Sequence, residues 1–102
     1  KKPENILQIN EIFQRRSGIL QKDLEDCIGT GSSERLRETA HSIKGLAGML
    51  AAANAFELAR EIEFLSRDGK FDEAVAHIPE LKKLLNEIAE DLSLLKNEIE
   101  QK

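Results

Sequence analysis

The sequence predicts an all-α protein, built as an up-down bundle of four long antiparallel helices. Three observations point there. Leu, Ile, Ala, Glu and Lys dominate the 102 residues, while Val occurs once and Tyr and Trp are absent, so strand formers are scarce. Apolar residues recur at steps of three and four along most of the chain. Glycine, serine and proline punctuate those runs where helix ends are needed. With 40% apolar and 33% charged residues, the composition is that of a globular chain with one core, read as a single domain over 1–102.

The first helix covers roughly residues 4 to 15, with Ile6, Ile9 and Phe13 on one face. Ser17 and Gly18 are expected to interrupt it. A second helix follows, carrying Leu20, Leu24 and Cys27/Ile28 on one stripe, and stops at "GTGSS". There Gly29 and Gly31 suit a C-cap and Ser32 or Ser33 the next N-cap. The third helix runs from about 33 to 52. Asn54 reads as the N-cap of the fourth, with Glu57 three positions on as its capping-box partner. That helix runs to about Arg67, where "RDGK" ends it, and "FDEAVAH" forms a short helix. Pro79 fits the first turn of a long final helix, in which Leu81, Leu85, Ile88, Leu92, Leu95 and Ile99 make a lengthwise packing seam. Short loops make sequential helices antiparallel neighbours.

Charge and cysteine usage exclude several functions. A net charge of −4 argues against nucleic acid as a partner. No apolar run approaches the ~18 residues that span a bilayer, and "KKPENILQIN" is no signal peptide, so no direct membrane contact is expected. Cys27 is single and lies in an apolar context, which suits a small core residue in a reducing compartment.

The stretch "HSIKGLAGML" sets the functional problem, because it places Gly45 and Gly48 inside the third helix at a cost of roughly 1 kcal/mol each. At about 100° per residue, Leu36, Ala40, Ile43, Ala47 and Leu50 form a core stripe about 80° wide. His41 projects about 140° from the centre of that stripe, Gly48 about 120° and Gly45 about 180°, with Arg37 and Lys44 flanking them. A lone histidine is ordinarily a tolerated polar residue, and helical glycines ordinarily serve close packing. Here they point away from the core seam.

His41 and Glu63 lie eleven residues either side of Ala52, and Lys44 and Arg60 eight, so each pair stands at one height in an antiparallel hairpin. The core stripe of the fourth helix is read as Ala55, Leu58, Ile62 and Leu65, with Glu63 beside it and within lateral reach of His41. A carboxylate accepting from Nδ1–H fixes the ring and leaves Nε2 as an outward nucleophile. Lys44 stands one turn along, placed to neutralise an anionic group such as phosphoryl. The glycines leave His41 clear for the approach of another domain.

"AHSIKGLAGMLAA" followed by "ELAREIE" resembles the histidine-containing phosphotransfer (HPt) domains of bacterial phosphorelays. The family motif is His-x-x-Lys-Gly, then small residues, then a Leu-Glu-like ending on the next helix. His41, Lys44 and Gly45 match it directly, Gly48 falls in the small-residue region, and Ile62–Glu63 match the ending. The resemblance implies a four-helix bundle with an accessory N-terminal helix. It implies that His41 accepts a phosphoryl group on Nε2 from the aspartyl phosphate of a receiver domain and passes it to another. Lys44 would support the phosphoryl group, Gly45 would permit docking, and Glu63 would orient His41, as a hydrogen-bonding residue does in related domains such as that of the chemotaxis kinase. Leu46 and Ala51 depart from the family's small residue and frequent glycine. The receiver is expected to supply the catalytic aspartate and Mg²⁺, leaving this chain a carrier with no cofactor of its own. A monomer on the cytoplasmic side is expected, standing alone or joined to a membrane-bound hybrid sensor kinase.

Two other readings follow from the same residues. A phosphorylation-independent interaction module would use the seam from Leu81 to Ile99, and its last turns, "KNEIEQK", would protrude. A metal site would need His41, Glu63 and His77, but two histidines without an i, i+4 pair make a poor ligand set. His77 instead reads as a residue at a helix junction. Phe56 and Phe64 read as packing residues, while Arg37 and Arg60 are placed to steer an acidic partner surface.

Overall fold

Buried side chains on α1, Pro3–Thr30, fall at Asn10, Phe13, Ser17, Leu20, Leu24 and Cys27, alternating steps of three and four. The computed structural model describes residues 3–101, and its other elements are α2 (Ser33–Met49), α3 (Ala53–Arg67), α4 (Phe71–Ala76) and α5 (Ile78–Glu100). Among the described residues there is no strand, and no helix is long and apolar enough to cross a membrane. α1 packs on α2 and α5, α2 on α3, and α3 on α5, which closes a four-helix ring with short α4 beside α3. Phe13, Leu24, Leu36, Ile43, Ile62, Ile78, Leu81 and Leu85 fill the centre. Cys27 is fully buried among them, its sulfur 3.8 Å from Thr39 Oγ1.

The all-α bundle is the one expected, but the break at Ser17–Gly18 is absent. Ser17 belongs to the seam: it is 3% exposed, and its Oγ accepts from Gln21 Nε2 at 3.1 Å. Gly18 faces solvent, and its cost of about 1 kcal/mol is outweighed by burial on both sides of it. The accessory helix and the second helix are therefore one 28-residue element.

Polar rungs set the register of α1 on α5. Gln14 Nε2 donates to Ala89 O at 2.8 Å and Ser93 Oγ at 3.2 Å, Gln21 Nε2 donates to Asn86 Oδ1 at 3.0 Å, and Lys82 pairs with Glu25. As α1 advances by seven and then four residues, α5 retreats by the same steps. Past the α2–α3 hairpin the two helices run on as an uncovered pair, giving a molecule 50 × 22 × 17 Å. The α5 seam follows suit: Leu81 and Leu85 are buried, Ile88 and Leu92 half-buried, and Leu95 is 38% exposed. The "KNEIEQK" end is helical through Glu100, and Lys102 lies outside the described residues.

Some helix ends differ from those expected: α2 stops at Met49 rather than near 52, and Gly29 lies within α1. Ser32 caps α2, its Oγ accepting from Arg35 N at 3.1 Å, and Gly31 (φ 69) and Gly69 (φ 77) take the left-handed conformation after α1 and α3. Asn54 is not an N-cap: Ala52 holds that place without a side-chain bond, and Glu57 pairs with Arg60. A Schellman turn shapes this end instead, with Ala51 N donating to Gly48 O at 3.1 Å and Ala52 N to Ala47 O at 2.9 Å. Its left-handed residue is Ala51, at φ 55, where an L side chain costs about 1–2 kcal/mol. Ala51→Gly is accordingly expected to raise stability by about 0.5–1 kcal/mol, read as an unchanged m-value with a higher urea midpoint.

Candidate functional site

Small residues bring α2 and α3 close. Ala40 and Ala47 on α2 and Ala55, Ala59 and Ser66 on α3 are all buried, so the buried line of α3 passes through Ala59 and Ser66. Leu58 and Leu65, read from the sequence as part of that line, are half-buried at its edge. This rotation of α3 toward α2 brings Glu63 to the crevice, where its side chain is 14% exposed.

His41 stands on the outer ridge of α2 with 66% of its side chain exposed, and its Nδ1 is 2.9 Å from Glu63 Oε2. Carboxylate oxygens only accept, so Nδ1 carries the proton and donates it. In the neutral ring the lone pair is then on Nε2 of a side chain that is two-thirds exposed. Lys44 Nζ lies 2.8 Å from the other oxygen, Oε1. Oε1 is out of solvent, and the Lys44 ammonium is the charge that faces that side of the carboxylate. Burial pushes the Glu63 carboxyl upward, but Lys44 and then His41 outweigh it, and the group is held below its ordinary value. Glu63 is thus a carboxylate clamped between an ammonium and an imidazole.

The two glycines differ. A Cβ on Gly45 would meet nothing within 4 Å, so the bundle itself does not require glycine there. At Gly48 the Phe56 ring lies 3.5 Å from where a Cβ would stand, so this glycine serves as a packing surface for α3 as well as lining the outward stripe. Arg37 approaches Glu34 at 3.8 Å, and Arg60 pairs with Glu57 at 3.0 Å. His77 sits at the α4–α5 junction, and among the described residues no three His, Cys, Asp or Glu side chains group as a ligand set.

Sequence reasoning missed the other flank of His41. Ile12 and Arg16 of α1 meet Ser42, Gly45, Leu46 and Met49 of α2 in a shallow hollow at the histidine's side. Ile12 is 38% and Met49 53% exposed, and Ile19 continues the strip along α1. The signal available was that Ile12 and Ile19, seven apart, fall outside the α1 seam. Their neighbourhood with His41 depends on how α1 meets α2. On the α3 side, Phe64, read from the sequence as a packing residue, is half-buried but is not among the side chains packed against the core, and Arg67 was read only as the end of its helix. The ridge therefore carries His41 between an apolar strip toward α1 and a charged groove toward α3.

Comparison with curated proteins and with solved structures gave no match. Among family models, that of the Hpt domain matches residues 8–101, nearly the whole chain.

Proposed function

The chain belongs to the Hpt domain family, whose members carry phosphoryl groups on histidine for receiver domains in two-component phosphorelays, and from that premise we propose that His41 is the phosphoacceptor. The observation that carries the reading is the exposed imidazole whose Nδ1 is engaged by Glu63 at 2.9 Å.

The step needs no base. The Nε2 lone pair attacks the phosphorus of a receiver's aspartyl phosphate, the P–Nε2 bond forms, the P–O bond breaks, and the aspartate carboxylate leaves with the electron pair. No proton moves, because Nδ1 keeps its own. The ring becomes cationic and Glu63 faces that charge. Onward transfer is the reverse step to a second receiver. Lys44 is placed to offset phosphoryl charge while holding Glu63 ionised. The catalytic carboxylates and Mg²⁺ come with the receiver, and this chain is the carrier. Gly45 opens the approach, Arg37 borders it, and the apolar strip of Ile12, Ile19 and Met49 offers a docking surface of the kind that partner domains cover. The reading makes the domain a cytoplasmic monomer, alone or joined to a sensor kinase.

Incubation with receiver domains charged with phosphoryl label and Mg²⁺ tests it. Label is expected to pass to the chain in an acid-labile, base-stable form, the signature of a phosphoramidate bond. Label that is acid-stable, or that maps to a residue other than His41, removes the proposal.

A further inference from the structure

Cations recur at seven-residue intervals on both walls of the charged groove: Arg37 and Lys44 on α2, Arg60 and Arg67 on α3. Hairpin geometry sets Arg60 level with Lys44 and Arg67 level with Arg37, so the four bracket the His41–Glu63 pair. The α3 pair has a feature that the α2 pair lacks. Both guanidiniums lie over the ring of Phe64, with Cζ 5.0 Å from its centroid for Arg60 and 4.7 Å for Arg67. Phe64 is half-buried, and its ring is a platform that the two guanidiniums share. Lys44 is committed to Glu63.

We propose that Arg60, Phe64 and Arg67 form a two-guanidinium clip that engages carboxylates on the docking face of the receiver and selects among receivers by charge. The inference rests on the phosphocarrier reading and adds the recognition element to it. A domain that holds Mg²⁺ beside a phosphorylated aspartate gathers carboxylates around that group, so the face it presents to His41 is anionic. This chain carries a net charge of −4, and without local cations the two surfaces would repel. Stacking on Phe64 pre-orders both guanidinium forks, which reduces the freedom lost when each pairs with a carboxylate.

The clip is occupied at rest by weak partners. Arg60 pairs with Glu57 at 3.0 Å and Arg67 with Asp68 at 3.6 Å, all four side chains being about half exposed or more. Exposed pairs of this kind exchange readily. Glu57 therefore competes with the receiver for Arg60 and acts as a brake on docking.

The test separates the clip from the chemistry. Phosphoramidate charges a histidine with no partner protein: its P–N bond breaks, the P–Nε2 bond forms and ammonia leaves. For each variant, transfer from the receiver that labels the wild-type chain fastest, charged by acetyl phosphate and Mg²⁺, is divided by labelling from phosphoramidate. For Arg60→Glu/Arg67→Glu this ratio is expected to fall about tenfold at low ionic strength and less than about threefold near 0.5 M salt. Glu57→Gln is expected to move it the other way, about two- to threefold upward at low salt only. Phe64→Ala, which keeps both charges and removes the platform, is expected to lie between wild type and the double variant. A ratio unchanged in the double variant, or lowered equally at both salts, overturns the clip, as does no gain from Glu57→Gln. Failure of the wild-type chain to take label from phosphoramidate overturns the phosphocarrier reading itself.

Discussion

His41→Gln is expected to eliminate phosphoryl labelling entirely while leaving the bundle folded. Gln has no ring nitrogen with an available lone pair, so the nucleophile is gone rather than weakened. The position is two-thirds solvent-exposed, outside the core stripe of α2, and its one bond, to Glu63, lies at the surface. Substitutions at such sites ordinarily stay within about 0.5 kcal/mol. Far-UV circular dichroism and the urea midpoint should therefore match the wild-type chain, and the receiver and phosphoramidate assays should both read zero. Residual acid-labile label on this variant would move the acceptor to another residue, and His77 at the α4–α5 junction is the other histidine of the chain.

Removing the orienting carboxylate should lower transfer without abolishing it. Glu63→Ala frees the His41 ring to rotate and to exchange tautomers, and leaves the cationic phosphorylated ring without its counter-charge. The loss of the partner that fixes a metal-bound imidazole typically costs about 10- to 100-fold, and a fall of the same order is expected in transfer rate. Glu63→Gln keeps an acceptor for Nδ1–H but not the charge, so it should fall less far. Equal rates in Glu63→Ala and wild type would deny the residue any positioning role.

The same pair of variants has a signature in stability against pH. The Glu63 carboxyl is held below its ordinary value in the folded state. A lowered folded value means that the ionised carboxylate is favoured by the fold. Its contribution is present above the unfolded-state value and is lost as the pH falls through the lowered folded value. Denaturation midpoints of the wild-type chain should therefore decline in the acid range below the ordinary carboxylate value, and Glu63→Gln should flatten that decline. An identical acid limb in both would mean that Lys44 and His41 do not stabilise the carboxylate.

Much of this site was legible because a helical hairpin is a local object. Once two amphipathic stretches flank a short turn, residues equidistant from it stand at one height, and His41 and Glu63, on facing sides, meet at 2.9 Å. The core stripe of α2 followed from 3.6-residue periodicity in the same way: Leu36, Ala40, Ile43 and Ala47 are all fully buried, while Leu50, at the C-cap, is half-buried. Ser17 was misread because a small polar residue looks alike as a break and as a seam position. What separates the two is burial supplied by residues far along the chain. Asn54 was misread because side-chain capping and a Schellman turn compete to shape the same loop. The strained φ of Ala51 is decided by backbone bonds from Ala51 and Ala52 to Gly48 and Ala47.

What the amino-acid order determined alone was the helical class, the faces of α2, the height at which His41 meets its carboxylate, and the match to a family that carries phosphoryl groups. Periodicity and turn position are short-range properties, so they can be read without coordinates. What only the tertiary structure decided was the neighbourhood of the histidine: the Ile12–Met49 hollow on one flank and the Arg60–Phe64–Arg67 stack on the other. Those depend on the rotation of α3, set by which small side chains let α2 approach, and on how α1 is seated on α2 and α5. Such packing angles follow from the shapes of many side chains at once, and no single stretch of sequence carries them.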